Sequence, residues 1–353
     1  MNKLVDWIKG HQVAAFFILT FVITWGLGFS YSGVYQREQY LLLPLAFAAT
    51  CGPALAGIII AAMTNTLPKH GKKRAFWIAF LITWVIVALV CLANLKFIEH
   101  VPISPPLVVL FTVAMVPVPF VIASAYSRNP SVNSYLGSLI RWRGVWGWAL
   151  LTCAGILVTI LLAIPVSILL SRQPFSAYKF PDASLALLGL VTVKFFYQFF
   201  FFNATGEETG WRGFSLPRLQ ARTSPLMAAL IIGVFWTLWH FFYWQAGGQP
   251  VTTMEFWLQM FPGHLLLSVL ITWIYNRAKG SILVAGIAHA AVNTAQAFIP
   301  NQLWGICLVW AVMAFVLILV DRMWRKLPTD HPAVYRSSQP ATQPGVDLAS
   351  PRM

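Results

Sequence analysis

Charge is what this chain has least of. Asp, Glu, Lys and Arg make up 10% of its 353 residues, and only 10 of them are acids, against 24 Lys and Arg. A soluble domain carries about 25% charged residues, so a water-facing surface around one core is excluded. Cysteine is scarce as well. The chain has 4 (Cys51, Cys91, Cys153 and Cys307) and no C-x-x-C pair, which excludes zinc and redox motifs of that kind. All of them fall inside apolar runs and read as small core residues. No P-loop, dinucleotide-binding glycine fingerprint or internal repeat is present. The short alternating segments of a membrane β-barrel are missing too.

What the chain does have is hydrocarbon: 58% hydrophobic residues and a mean hydropathy of +0.71. A spanning helix needs about 20 mostly apolar residues, and backbone polar groups in lipid must be satisfied within the segment. The sequence therefore predicts an all-α, polytopic transmembrane bundle. About ten spans are expected, near 12–31, 40–63, 76–94, 107–126, 145–170, 184–206, 225–243, 256–275, 281–299 and 302–320. Lys3 and Lys9 ahead of an apolar run resemble a signal peptide, but Val13–Tyr31 is long for one and no small-x-small site follows, so it reads as a retained first span. Three regions are expected: an N-terminal transmembrane region 1–183, a working core 184–320, and a disordered cytosolic tail 321–353, whose Pro-rich end shows no helical periodicity. The final Pro-Arg-Met is not a prenylation box.

The net charge of +14 would suit nucleic acid, but the basic residues lie in short loops between apolar runs. With the N-terminus inside, one face collects Lys3, Lys9, Lys69–Arg74, Arg128–Arg143, Arg212–Arg222, Arg277–Lys279 and Arg322–Lys326. The other holds Arg37, Lys96, Arg172 and Lys179. This bias sets orientation in a bilayer. It predicts a multi-pass protein of the inner (cytoplasmic) membrane with both termini cytoplasmic, a lipid bilayer as its surroundings and no nucleic-acid partner.

Ionisable groups are expensive at bilayer depth and are kept there when they work or pair. Glu207-Glu208-x-x-x-Arg212 places Glu208 and Arg212 at i,i+4, the favourable order for a helix ion pair. Glu207 points about 100° away, which leaves it free; a desolvated carboxylate suits a general base. His240 ends the run Phe-Trp-Thr-Leu-Trp-His, four residues after Trp236. His289 and Asn293 lie one turn apart on one face, an imidazole and an amide that can serve an oxyanion. Each set also has a plain structural reading: a helix-end cap, an interfacial histidine, an interhelical hydrogen bond. Lys194 is expected to snorkel or pair with an acid, and His264 to be interfacial.

Taken in order, E-E-x-x-x-R, aromatic-x-x-x-H and H-x-x-x-N resemble the motif set of the CAAX-protease and bacteriocin-processing (CPBP/Abi) family, related to the type II CAAX prenyl endopeptidase. The context Gly206–Gly213 and Tyr275–Ser281 resembles it too, and the resemblance runs from about Leu187 to Val320. It implies an intramembrane endopeptidase, of a family classed as metalloproteases, acting on a peptide or membrane-protein substrate near the cytoplasmic face. By the resemblance, Glu207 activates water with His240, His289 and Asn293 stabilise the oxyanion, and Glu208 and Arg212 organise the site. The family usually has Phe where this chain has Trp236, which keeps an aromatic wall. Two Glu and two His are also a donor set for a divalent metal such as zinc, although no H-E-x-x-H motif is present. The glutamate-centred route is the favoured reading. A non-proteolytic scaffold, immunity or chaperone-like factor of the same family is the alternative. A transporter ranks last, because no inverted repeat is visible.

Overall fold

The computed structural model describes residues 3–31, 43–65, 67–68, 73–172, 174–246, 248–300 and 303–336, and these are helical with no strand. In chain order the α-helices are α1 (Lys3–Gly10), α2 (Gln12–Tyr31), α3 (Leu43–Thr50), α4 (Gly52–Met63), α5 (Lys73–Phe97), α6 (Pro105–Ala114), α7 (Pro117–Ser124), α8 (Pro130–Leu136), α9 (Trp146–Ser171), α10 (Leu185–Tyr197), α11 (Leu216–Gln220), α12 (Pro225–Trp239), α13 (Phe241–Ala246), α14 (Met254–Arg277), α15 (Ile282–Phe298) and α16 (Leu303–Val320). A π-helical segment, Gln198–Ser215, joins α10 to α11, so one unbroken helix runs from Leu185 to Gln220.

Among the described residues six helices are long and apolar enough to cross a membrane, or seven if α1 and the first part of α2, bent by 110°, count as one. This corrects the expected ten. Hydropathy alone registers any apolar run, but Gly52–Met63, Ile282–Phe298 and Trp304–Val320 fold as shorter helices. α5 turns Trp77, Leu81, Val85 and Leu89 outward, and α9 does the same with Leu150, Leu157 and Leu161. Apolar surface of this extent on a folded chain marks contact with lipid.

The π segment is the axis of the bundle. Its residues from Phe201 to Arg212 are all buried, walled by α4 on one side and α15 on another. Two glycines allow the approach of α3 and α4: a Cβ on Gly206 would stand 2.7 Å from the Thr50 carbonyl oxygen, and one on Gly210 2.4 Å from the Pro53 backbone. α2 covers the same stretch with Phe16 and Phe17 against Trp211. The N-terminal half is therefore part of the core.

The chain after α16 is a further correction. The tail was expected to be disordered from residue 321, yet residues up to 336 dock on the bundle. The Leu226 amide donates to the Met323 carbonyl (3.0 Å), Gln220 Nε2 to the Ala333 carbonyl (2.9 Å) and the Tyr335 amide to the Pro217 carbonyl (3.0 Å). Ala333 and Val334 are buried. These contacts are turns and single hydrogen bonds, one of them from the Gln220 side chain, which leave no periodicity to read. Residues 337–353 lie outside the described residues, as does Arg37.

Candidate active site

The two acids part company at once. Glu208 Oε1 accepts from Arg212 Nη1 (3.0 Å) and lies 2.8 Å from His289 Nδ1. Arg212 Nη2 donates to Ser268 Oγ (3.1 Å), and Ser268 donates on to the Ala229 carbonyl (2.7 Å). Glu208 and Arg212 are both 0% exposed, so this is a fully desolvated pair that ties the π segment to α12, α14 and α15. A buried pair of this kind adds little net stability, but losing one partner leaves an uncompensated charge.

Glu207 faces the other way. Its Oε2 accepts a 2.5 Å hydrogen bond from the Trp236 indole nitrogen and lies 3.9 Å from His240 Nε2. His240 Nδ1 is 2.8 Å from the Trp236 carbonyl oxygen. A carbonyl only accepts, so Nδ1 carries the hydrogen of the neutral ring and Nε2 presents a lone pair toward Glu207. The side-chain helix ends thus meet, because the acids sit mid-way along an unbroken helix rather than at the end of a shorter one, as the expected boundary at residue 206 had implied.

Glu207 and His240 line a cleft of about 220 Å³ with Thr50, Gln198, Phe202, Tyr243, Asn293 and Gln296. Asn293 Nδ2 lies 3.5 Å from Gln198 Oε1 and 3.4 Å from Asn203 Oδ1. His289 is one turn away but behind the cleft, its ring set edge-on against the Trp236 indole at 5.1 Å between centroids. Of the six expected site residues, three line the cleft and three form a sealed layer beneath it.

A sequence reading misses several participants. Trp236 is more than an aromatic wall: among aromatic side chains apart from histidine, only Trp and Tyr carry a donor, and that is the signal that was present. His264 is not simply interfacial, for its ring packs on Trp236 (4.9 Å), His240 (5.0 Å) and Trp244 (5.1 Å). Thr50, from the first half of the chain, gave no signal. Lys194 does pair, with Glu99 at 2.7 Å. Among the described residues no three His, Cys, Asp or Glu side chains are grouped so as to hold a metal ion. Glu207 lies against His240 and Glu208 against His289.

Residues 188–295 match the family described as type II CAAX prenyl endopeptidase, Rce1-like. That stretch is similar to the Rce1-like family. It includes all six expected site residues and stops short of α16, inside the wider limits of the resemblance. The chain is also 33% identical over 153 residues to CAAX prenyl protease 2 of Methanococcus maripaludis, an alignment covering 42% of this chain and 53% of the relative. The chain therefore spans about half the length of the curated relative it matches. Thr50 lies outside the matched stretch and lines the cleft.

The cleft and the basic residues occupy opposite ends of the bundle. Along the π segment and α11, Gln198, Phe202 and Glu207 face the cleft, whereas Gly213, Pro217 and Arg218 line a second cavity with Arg141, Lys279 and Arg336. The neighbouring helices agree. Thr50 lies at the cleft and Ala61 at the basic cavity; Gln296 lies at the cleft and Gly280 at the basic cavity.

Proposed function

We propose that this protein is a glutamate-dependent intramembrane endopeptidase. The observation that carries the reading is the facing of Glu207 Oε2 and His240 Nε2 across 3.9 Å at the wall of a cleft. That gap is too long for a direct hydrogen bond, but a water about 2.8 Å from both atoms bridges it with an angle of roughly 90°. Such a water donates one hydrogen to each acceptor and turns its lone pairs into the cleft. Glu207 takes a proton as the water oxygen attacks a peptide carbonyl. The proton then passes to the leaving amine as the C–N bond breaks.

Asn293 supplies a donor to the oxyanion. Held by Nδ1 against Glu208, His289 acts as a positioning residue behind it, with Glu208 and Arg212 fixing the helices. No step here runs through a metal. The substrate is a peptide or membrane protein that enters the cleft from within the bilayer; the names of the matched proteins point to prenylated CAAX termini as one class to test.

By the charge bias, the basic end faces the cytoplasm, and the start of α2 meets the docked tail there, Gln12 and Tyr335 each contacting Arg218. On that orientation the cleft opens toward the opposite face, whereas the family resemblance implies action near the cytoplasmic face. An impermeant maleimide should label Gln296→Cys in intact cells; labelling only after lysis would reverse the orientation.

The deciding experiment compares wild type with Glu207→Gln on a panel of prenylated and unlipidated membrane peptides. Hydrolysis should fall by roughly 10²–10⁴-fold in the variant while it still inserts and folds. Cleavage retained at the wild-type rate would remove the proposal.

A further inference from the structure

A cavity of about 620 Å³ lies at the basic end, away from the cleft. It lies between α4, α8, α11, the turn joining α14 to α15 and the docked tail. Arg141, Arg218, Lys279 and Arg336 line it, and Asp330 is the one carboxylate among the described residues of its wall. Each cation comes from a different part of the chain. None of the four is in an ion pair among the described residues. Arg218, 8% exposed, gives its hydrogens to neutral acceptors: Gln12 Oε1 at 2.7 Å and the Phe214 carbonyl at 2.9 Å. Arg336 donates to the carbonyls of Thr329 and Asp330.

Four cations facing one carboxylate in a concave wall are costly by self-repulsion unless an anion joins them. The backbone supports the placement. Lys279 has φ 55 and Gly280 φ 77; a lysine takes the left-handed region rarely, and here the turn brings it to the cavity wall. Guanidinium groups present paired donors that match phosphate oxygens.

We propose that this cavity binds a phosphate-bearing anion, which bridges the tail, the α14–α15 turn and α11. Two sources share that chemistry: the headgroup of an anionic phospholipid, as basic pockets at the cytoplasmic side of helical bundles take, and soluble phosphate or a phosphate ester. The site is independent of the hydrolysis assigned to Glu207.

The test uses the purified full chain in a neutral detergent. Thermal unfolding is followed while inorganic phosphate, phosphatidylglycerol or phosphatidylcholine is titrated in, for wild type and for the double variant Arg141→Gln/Lys279→Gln. Wild type should be stabilised by phosphatidylglycerol over phosphatidylcholine, and the double variant should need at least about tenfold more of it. An equal response to inorganic phosphate assigns the soluble source; a response to the lipid alone assigns the headgroup. Should the double variant not fold, Arg336→Gln, on an exposed tail residue, is titrated in its place and should also weaken the response. The proposal is overturned if phosphatidylcholine stabilises as well as the anions do, or if the variants respond as wild type does.

Discussion

The cleft around Glu207 and the sealed layer around Glu208 are built on adjacent residues of one helix, yet they follow different physical rules. In the sealed layer every partner of Glu208 is ionic or ionisable, and Glu208 and Arg212 are wholly buried. In the cleft Glu207 has no arginine of its own; it is held by an indole N–H and faced by an imidazole lone pair. Compensated charge in a dry interior is architecture, because neither partner can leave without stranding the other. A carboxylate held by a neutral donor beside open space keeps its basicity for a substrate.

That contrast is open to direct attack. The largest effect on stability is expected from Arg212→Met, which strands Glu208 in the interior. Unfolding in detergent should show a loss of about 3–5 kcal/mol, and an unchanged midpoint would mean that the sealed layer is not load-sharing. A smaller change, confined to the cleft, is expected from Trp236→Phe. It keeps a ring against Arg212 and His289 but deletes the donor to Glu207. Hydrogen bonds to charged groups are worth about 1.5–3 kcal/mol, so hydrolysis should fall by roughly 10- to 150-fold, with folding retained. Equal rates for Trp and Phe would reduce Trp236 to a wall. The smallest effect is expected from chelation: because no three His, Cys, Asp or Glu side chains are grouped among the described residues, a metal chelator should alter hydrolysis by less than about twofold. A deep loss restored by zinc would instead join the two regions into one metal site.

Much of the site was legible because buried charge is rare in an apolar chain. Glu207, Glu208, Arg212, His240, His289 and Asn293 stand out against hydrocarbon, and the i,i+4 spacing separated the paired acid from the free one before any coordinates. The participation of Thr50 was not legible, since a threonine at the end of an apolar run is unremarkable until Gly206 lets its backbone come close. The docking of the tail was equally hidden, because it rests on single backbone hydrogen bonds and two small apolar residues.

Composition and charge order by themselves determined a helical membrane protein, the bias of its loops and the identity of the polar residues worth keeping in lipid, since transfer of charge and of peptide groups into hydrocarbon leaves few alternatives. Tertiary structure alone decided how far each helix extends, that Glu207 and His240 meet while His289 stays behind, and that the cleft and the basic cavity point to opposite ends. Those outcomes depend on the approach of helices distant in sequence, and a one-dimensional pattern carries the period of each helix but not its height or rotation against its neighbours.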